Sequence, residues 1–143
     1  MIPEINFTTE NIELPDLDYD RIRKWLAAVA VSHGFILRRL DYVFCDDKRI
    51  LEVNIEFLNH DYFTDIITFG NNHGKLLSGD LYISLETVAS NAVLVGQPYF
   101  RELLRVIVHG LLHLCGINDK GPGEREIMEQ NEDTALGLYE SII

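Results

Sequence analysis

The feature that most constrains the fold is an apolar stretch from Pro98 to Leu114 that carries two histidines four residues apart. Proline is tolerated in the first turn of a helix, and Gly116 is typical of a helix end, so the stretch predicts one long helix. At about 100° per residue, His109 and His113 project only about 40° apart from consecutive turns. Both imidazoles can therefore reach one ion near the end of a central helix.

Asp119 extends this pair into a three-residue pattern. The spacing His109-x3-His113-x2-Gly116-x2-Asp119 is that of the metzincin signature, with aspartate where histidine is usual. Aspartate is an accepted zinc ligand, and three protein ligands leave the fourth position open, as in catalytic sites. We therefore predict one zinc ion per chain held by His109, His113 and Asp119, although a carboxylate also admits nickel, manganese or iron. A His-x3-His pair alone is equally consistent with two histidines beside a core.

Gly110 stands where a zinc peptidase of this pattern keeps its catalytic glutamate. Peptide hydrolysis is therefore disfavoured, and metal-assisted phosphodiester hydrolysis becomes the better hypothesis. A glycine there either opens space beside the metal or allows a neighbouring element to pack closely. Cys115 projects from another face of the helix, which predicts a core residue and not a ligand.

The rest of the chain predicts a single domain, residues 1–143, of the α+β or mixed α/β class. Apolar periodicity and the punctuation by Gly, Pro and Asp define the segments. After an extended acidic lead-in, they are a helix from Asp18 or Asp20 to Ser32, a strand over 36–45, a helix over 48–59, strands over 64–70 and 76–84, and helices over 85–95 and 124–141. The strands over 64–70 and 76–84 form a hairpin in this interpretation. We expect a small mixed sheet of three or four strands.

Composition and charge narrow the classes of partner. The net charge of −11 argues against tight nonspecific binding to polyanions, because that attraction comes from Lys and Arg. A local groove stays open, with its candidate cations at Arg21–Lys24, Arg38–Arg39 and Arg101–Arg105. The first twenty residues lack the basic start and apolar core of a signal peptide, and no apolar run is long enough to span a membrane. With only two cysteines, expected to be buried thiols, the chain is predicted to be cytoplasmic.

Three blocks of the sequence resemble the YbeY endoribonuclease family. The stretch from His109 to Gly116, HGLLHLCG, resembles the signature H-G-x-L-H-L-x-G-x-D-H. Residues 64–69, TDIITF, resemble a Thr-Asp-Val-Leu-Ser-Phe strand, and residues 79–83, GDLYI, resemble a Gly-Asp-Ile-x-Ile block. The blocks occur in the family's order and span most of the chain.

This resemblance implies an α+β fold with a small mixed sheet and a metal at the end of a central helix. It implies a zinc-dependent endoribonuclease of the bacterial cytoplasm that cleaves single-stranded RNA. The implied roles are maturation of the 3′ end of small-subunit (16S) ribosomal RNA and ribosome quality control, with ribosomal RNA and the ribosome as partners and neither DNA nor membrane. The implied metal ligands are His109, His113 and the third signature position, which is Asp119 here.

Two positions depart from the family pattern. The third ligand is usually a histidine preceded by aspartate, whereas this chain has Asn118 and then Asp119. Leu58 stands where the family has an arginine thought to matter for RNA cleavage. That alignment rests on Asn54, Asp61, Thr64 and Asp65. Arg105, one turn before His109, either substitutes as a phosphate contact or pairs with Glu102.

The general acid and base are not assigned. Glu124 and Asp65 are the nearest candidates, although the first also suits the start of a helix and the second a hydrogen-bond acceptor at a strand end. Two functions follow from the pattern as a whole. The first is a zinc-dependent endoribonuclease of ribosome maturation. The alternative is a metal-stabilised ribosome-assembly binding factor with weak or no nuclease activity, which the acidic charge and Leu58 favour.

Overall fold

The structure, a computed structural model, describes residues 2–60 and 64–142, so Asp61 of the alignment above lies outside it. The α+β class and the mixed sheet are confirmed. In chain order the elements are β1 (Glu4–Glu10), α1 (Tyr19–Ser32), β2 (Ile36–Cys45), α2 (Asp47–Leu58), β3 (Ile66–Gly70), β4 (Leu76–Ser84), α3 (Leu85–Val95), α4 (Tyr99–Leu114) and α5 (Glu124–Ser141). Asp18 is the N-cap of α1, where its carboxylate accepts from the backbone N–H of Arg21.

The four strands form one sheet in the order β1-β2-β4-β3. β1, β2 and β4 run parallel, and β3 pairs antiparallel with β4, which confirms the predicted hairpin. β3 occupies one edge of the sheet and begins shortly after α2 ends. This arrangement brings the C-terminal end of α2, the edge strand β3 and the 71–75 turn to one side of the molecule.

The acidic lead-in contains a strand, β1, which the sequence pattern did not predict. Its large apolar side chains are only Ile5, which is buried, and Phe7, which stacks on Tyr42 with ring centroids 5.3 Å apart. The strand pairs in parallel with β2, so its partner lies about 35 positions away, as the Asn6–Asp41 side-chain hydrogen bond illustrates. Parallel pairing at that distance leaves no turn signal in the sequence.

Helices α1 and α4 cover one face of the sheet, and α4 is the central one. The hydroxyl of Tyr42, on β2, donates to the carbonyl oxygen of Ile107 at 2.8 Å and joins the sheet to α4. The buried residues of α4 are Glu102, Leu103, Val106, Ile107, Val108, Gly110, Leu111, Leu112 and Leu114. The other face carries α2 over a smaller cluster of Cys45, Ile50, Val53 and Ile67.

Gly110 marks the closest approach of α4 to the sheet. A Cβ atom at this position would lie 2.3 Å from Cδ2 of Leu81 and 2.9 Å from Cδ1 of Ile66. Of the two interpretations of this glycine, close packing is therefore the one that the structure supports. The helix reaches β3 and β4 because residue 110 has no side chain. This close contact holds the imidazoles of His109 and His113 near the edge of the sheet.

Neither cysteine is in a disulfide, and each has a core setting. Cys45 is fully buried, and Cys115 packs against the main hydrophobic cluster, as predicted. Burial raises the pKa of the Cys115 thiol to about 11. Across residues 2–60 and 64–142, no helix combines the length and apolar character that crossing a bilayer requires.

Candidate metal centre

The predicted ligands meet where α4 ends. Gly116 follows the helix with φ +90°, a left-handed conformation that favours glycine, and its N–H donates to the carbonyl oxygen of His113 at 2.9 Å. The N–H of Ile117 donates to the carbonyl oxygen of Leu112 at 3.1 Å and closes the turn. The chain thus leaves the helix axis and returns Asp119 to the two imidazoles.

His109, His113 and Asp119 form a set of ligand atoms that lie within 4.8 Å of one another. Oδ2 of Asp119 lies 3.3 Å from Nε2 of His109 and 3.5 Å from Nε2 of His113. With zinc–ligand bonds of roughly 2.0–2.2 Å, adjacent ligand atoms of a tetrahedral site stand about 3.3–3.6 Å apart. Both distances match that edge, and they are long for hydrogen bonds, which are typically about 2.7–3.2 Å. The donor set and its spacing therefore fit zinc.

His109 is held by a carboxylate on its other ring nitrogen. Nδ1 of His109 lies 2.6 Å from Oε2 of Glu132, a buried side chain of α5. Glu132 in turn accepts from Nη1 of Arg105 at 2.9 Å, and Nη2 of Arg105 bonds Asp133 at 2.8 Å. When the neutral ring donates Nδ1–H to Glu132, the lone pair is on Nε2, the atom nearer Asp119. A carboxylate in this position is typical of histidines that bind metals.

The two imidazoles have opposite pKa shifts. Burial lowers the pKa of His109, but the hydrogen bond to Glu132 and the negative charges of Glu132, Asp119 and Asp65 outweigh it, so the pKa lies above its ordinary value. Burial and the neighbouring charge of His109 hold the pKa of His113 below its ordinary value, against the opposing effect of Asp119. The acidic groups around His109 thus favour its protonated form, whereas burial and the charge of His109 favour the neutral form of His113.

The ligands open onto a cavity of about 820 Å³, which we call the metal cavity. It extends from the end of α2, at Leu58, past β3 to the loop after α4. Lys120 and Asn72 also line it, and no arginine does among the described residues. A second cavity of about 550 Å³ lies between α3, α4 and α5, and His109 and Asp119 line both. His109 and Asp119 therefore stand in the wall between two solvent-accessible spaces, whereas His113 faces the metal cavity alone.

Asp65 and Glu124, the candidate acid and base, both line the metal cavity. Burial raises the pKa of Asp65, while His109 and the backbone N–H groups of Asp65 and Ile66 lower it. Asp65 thus combines the predicted hydrogen-bond acceptor role with a position beside the ligands. Glu124 begins α5, as its structural interpretation predicted.

The structure corrects the predicted partner of Arg105. Its hydrogen bonds go to Glu132 and Asp133 of α5, and none goes to Glu102. The reason is geometric: α5 packs beside α4 and presents Glu132, a buried carboxylate, to the face that carries both Arg105 and His109. Because it is hydrogen-bonded to these two carboxylates, Arg105 lines the second cavity and not the metal cavity.

Glu132 is the functional residue that sequence reasoning missed. A signal was present, because the buried residues of α5 are Met128, Glu132, Ala135 and Leu136. Glutamate at a core position of an amphipathic helix is unusual unless it is paired. It lies 23 positions from His109, on another helix, so no local spacing connects the two.

Comparisons with known proteins place the chain among close relatives. A family model described as Endoribonuclease YbeY matches residues 4–140. The Endoribonuclease YbeY of Phocaeicola vulgatus is 55% identical over 134 residues, covering 94% of this chain and 97% of the relative. Those of Bacteroides thetaiotaomicron (53%; 94% and 98% covered) and Porphyromonas gingivalis (44%; 98% and 93% covered) are also similar.

One solved structure shows the same fold. A solution structure of a protein from Thermotoga maritima superposes with a TM-score of 0.67, covering 96% of this chain and 89% of the other. Its sequence is 22% identical, so the likeness concerns the fold alone.

Proposed function

The chain belongs to the YbeY endoribonuclease family, and on that premise we propose that it is a zinc-dependent endoribonuclease specific for single-stranded RNA. We propose further that it matures the 3′ end of small-subunit ribosomal RNA and takes part in ribosome quality control in the bacterial cytoplasm. Ribosomal RNA and the ribosome are its proposed partners. Family membership supports the reaction class, and the finer roles follow from the resemblance of the three sequence blocks.

The observation that carries the proposal is the set of three ligand atoms at the edge of the metal cavity. His109, His113 and Asp119 supply three donors, with Oδ2 of Asp119 at 3.3 and 3.5 Å from the two Nε2 atoms, and all three residues line a cavity of about 820 Å³. Zinc at such a site supplies Lewis-acid chemistry, which lowers the pKa of water and offsets negative charge on a phosphoryl oxygen. An extended RNA strand fits a site that is open on one side.

The chain's own residues have distinct roles in this proposal. Glu132 orients the His109 ring and keeps its Nδ1 protonated, so that Nε2 faces the ion. Asp65 is the proposed proton carrier, because it is half-buried in the wall that also holds His109 and its pKa is raised towards the range useful for general acid–base catalysis. Lys120, in the cavity wall, offers a positive charge to the phosphate backbone.

The test of the activity is cleavage of single-stranded RNA by the purified, zinc-loaded chain. Wild type should cut a single strand and spare a duplex of the same sequence, and a chelator should abolish cleavage. His113→Ala is the matched control, because it removes one ligand at the exposed side of the site. Equal residual cleavage by wild type and His113→Ala would refute the enzyme proposal.

The test of the ligand set is elemental analysis. Wild type should retain about one zinc per chain after dialysis, and Asp119→Ala should lose most of it because two imidazoles alone hold zinc weakly. Full retention by the variant would remove Asp119 from the ligand set.

A ribosome-assembly binding factor is the second candidate. The observation that favours it is Leu58, which lines the metal cavity where the family pattern has an arginine. In that case the metal would hold the loop after α4 in place, and wild type would bind ribosomal subunits without cutting RNA. Cosedimentation with small subunits in the absence of any cleavage would favour this function over the first.

A further inference from the structure

A second polar pocket lies next to the metal cavity, at the end of the sheet. It has a volume of about 260 Å³ and we call it the Arg38 pocket. Its lining residues are Glu4, Arg38, Arg39, Asn71, His73 and Ser78. Five of the six carry a hydrogen-bond donor in the side chain, and two of these are guanidinium groups. Such a lining is suited to an anion.

Arg38 stands out among the arginines of the chain. Seven of the eight bond a backbone carbonyl or pair with a carboxylate; these are Arg21, Arg23, Arg39, Arg49, Arg101, Arg105 and Arg125. The side chain of Arg38 has neither a hydrogen bond nor an ion pair with any residue in the ranges 2–60 and 64–142. In a chain with 23 acidic and 12 basic residues, a guanidinium without a protein partner is available for an external anion.

The position of Arg38 follows from an irregularity in the sheet. The pairing of β2 with β4 shifts between Leu37 and Arg39, so Arg38 is the additional residue of a β-bulge. A bulge redirects the side chain of its extra residue and is frequent beside functional sites. Arg39 also lines the pocket, but it is paired with Asp41 and Asp80, which offset its charge. The free positive charge of the pocket is therefore that of Arg38.

The Arg38 pocket and the metal cavity share one wall, the turn between β3 and β4. Asn72 lines the metal cavity, and its neighbours Asn71 and His73 line the Arg38 pocket. The Asn72 side chain fixes this turn: Nδ2 donates to the carbonyl oxygen of Leu114 at 2.9 Å, and Oδ1 accepts from the N–H of Ser78 at 3.2 Å. The turn is thus fastened to the end of the helix that carries the candidate ligands.

We propose that the Arg38 pocket is a phosphate subsite that holds the backbone of the RNA strand outside the metal cavity, with Arg38 as its principal contact. This proposal rests on the proposed function, since it assigns the path of that substrate. A strand whose scissile phosphate lies at the ligands passes over the 71–73 turn, and one of its outer phosphates reaches Arg38. A planar guanidinium binds a phosphate through two parallel hydrogen bonds.

The test is RNA binding by the zinc-loaded full chain. A fluorescent single-stranded dodecanucleotide with phosphorothioate linkages, which resist cleavage, is titrated and followed by anisotropy across a range of salt concentrations. Arg38→Gln should bind about tenfold more weakly at low salt. The slope of log K against log salt should become shallower by about 0.7, the value for one phosphate contact with a single strand. Arg38→Lys should recover most of the slope.

The controls separate this subsite from the metal cavity. Lys48→Gln removes an equal charge from an exposed position of α2 that lines neither cavity, and it should bind within about twofold of wild type. A dinucleotide, too short to leave the metal cavity, should bind Arg38→Gln and wild type equally. If Arg38→Gln binds the dodecanucleotide as tightly as Lys48→Gln does, the subsite alone is overturned. Wild type that binds no RNA would overturn the proposed function as well.

Discussion

Replacing Glu132 by glutamine should weaken zinc binding without changing any proposed ligand. The Glu132 carboxylate is buried and lies 2.6 Å from Nδ1 of His109, shorter than the roughly 2.9 Å typical of N–H···O bonds. Such a contact is a charge-assisted hydrogen bond, which fixes the ring and makes Nε2 a better donor. Glutamine keeps the shape of the side chain and removes the charge.

The magnitude follows from the contacts. Loss of a carboxylate that orients a metal-binding histidine weakens metal binding by about 10–100-fold, or about 1.4–2.8 kcal/mol. The effect of Glu132→Gln should lie in the lower half of that range, because the amide oxygen still accepts from His109. Arg105 does not become unpaired, since its second nitrogen keeps the 2.8 Å bond to Asp133. We therefore expect roughly a 10–30-fold increase in the dissociation constant for zinc.

The assay is competition for zinc against a chromophoric chelator at about pH 8. A pH above neutral reduces the competition between protons and zinc for the imidazoles, so the change in the pKa of His109 has less influence on the measured affinity. This matters because Glu132 raises the pKa of His109, and its removal makes the ring easier to deprotonate. At lower pH this easier deprotonation would partly offset the loss of zinc affinity that comes from losing the orienting carboxylate.

Asp133→Asn is the matched control. Asp133 also pairs with Arg105, but its side chain is 64% exposed, and it makes no contact with His109. This variant should bind zinc within about twofold of wild type. Equal zinc affinities for wild type and Glu132→Gln would refute the orienting role of Glu132. Equal losses of affinity in Glu132→Gln and Asp133→Asn would indicate that Arg105, which pairs with both acids, is the residue that matters.

Three further predictions concern single positions. Leu58→Arg places a guanidinium in the wall of the metal cavity and should raise kcat/KM for RNA about tenfold, measured on a labelled single strand. Leu58→Gln adds no charge and should leave kcat/KM unchanged. Equal gains in both variants would contradict a charge effect. Gly110→Ala should destabilise the chain by about 1–3 kcal/mol in thermal unfolding, because its Cβ would collide with Leu81. Gly137→Ala, with nothing within 4 Å of its Cβ, should instead be neutral or stabilise by up to about 1 kcal/mol, and similar effects of both would contradict this account. The rate of Cys115 alkylation should reach half its maximum near pH 11, because burial raises the pKa of the thiol to about 11. A half-maximal rate near pH 8.5, about the ordinary pKa of a cysteine thiol, would contradict this effect of burial.

Local signals made most of the fold predictable. The helices and the hairpin follow from apolar periodicity, capping residues and glycine punctuation, all of which act within a few residues. β1 could not be predicted, because a parallel partner some 35 positions away leaves no pattern in a short strand that has two large apolar residues. Its assignment depends on the sheet that β2 and β4 form.

The candidate site divides in the same way. His109, His113 and Asp119 fall within eleven residues, so helix geometry and one glycine turn were enough to bring them together. The partners that orient them come from α5, and helix spacing alone assigned Arg105 to Glu102. Burial decides otherwise: Glu132 occupies a core position, where its charge requires a donor, and both Arg105 and His109 supply one.

Both departures from the family pattern reduce the positive charge that the site offers to a phosphate. In the proposed metal site, aspartate in place of the neutral histidine of the resembled signature lowers the charge of the ligand set by one unit, and leucine in place of arginine at position 58 removes another positive charge from the cavity wall. A phosphate group at the candidate metal therefore meets about two fewer units of positive charge than it would in a site with the family pattern. Among the described residues the metal cavity has Lys120 but no arginine to offset this. Lys120 then needs support from outside the cavity, and the unpaired guanidinium of Arg38, beyond the 71–73 turn, is the group placed to provide it.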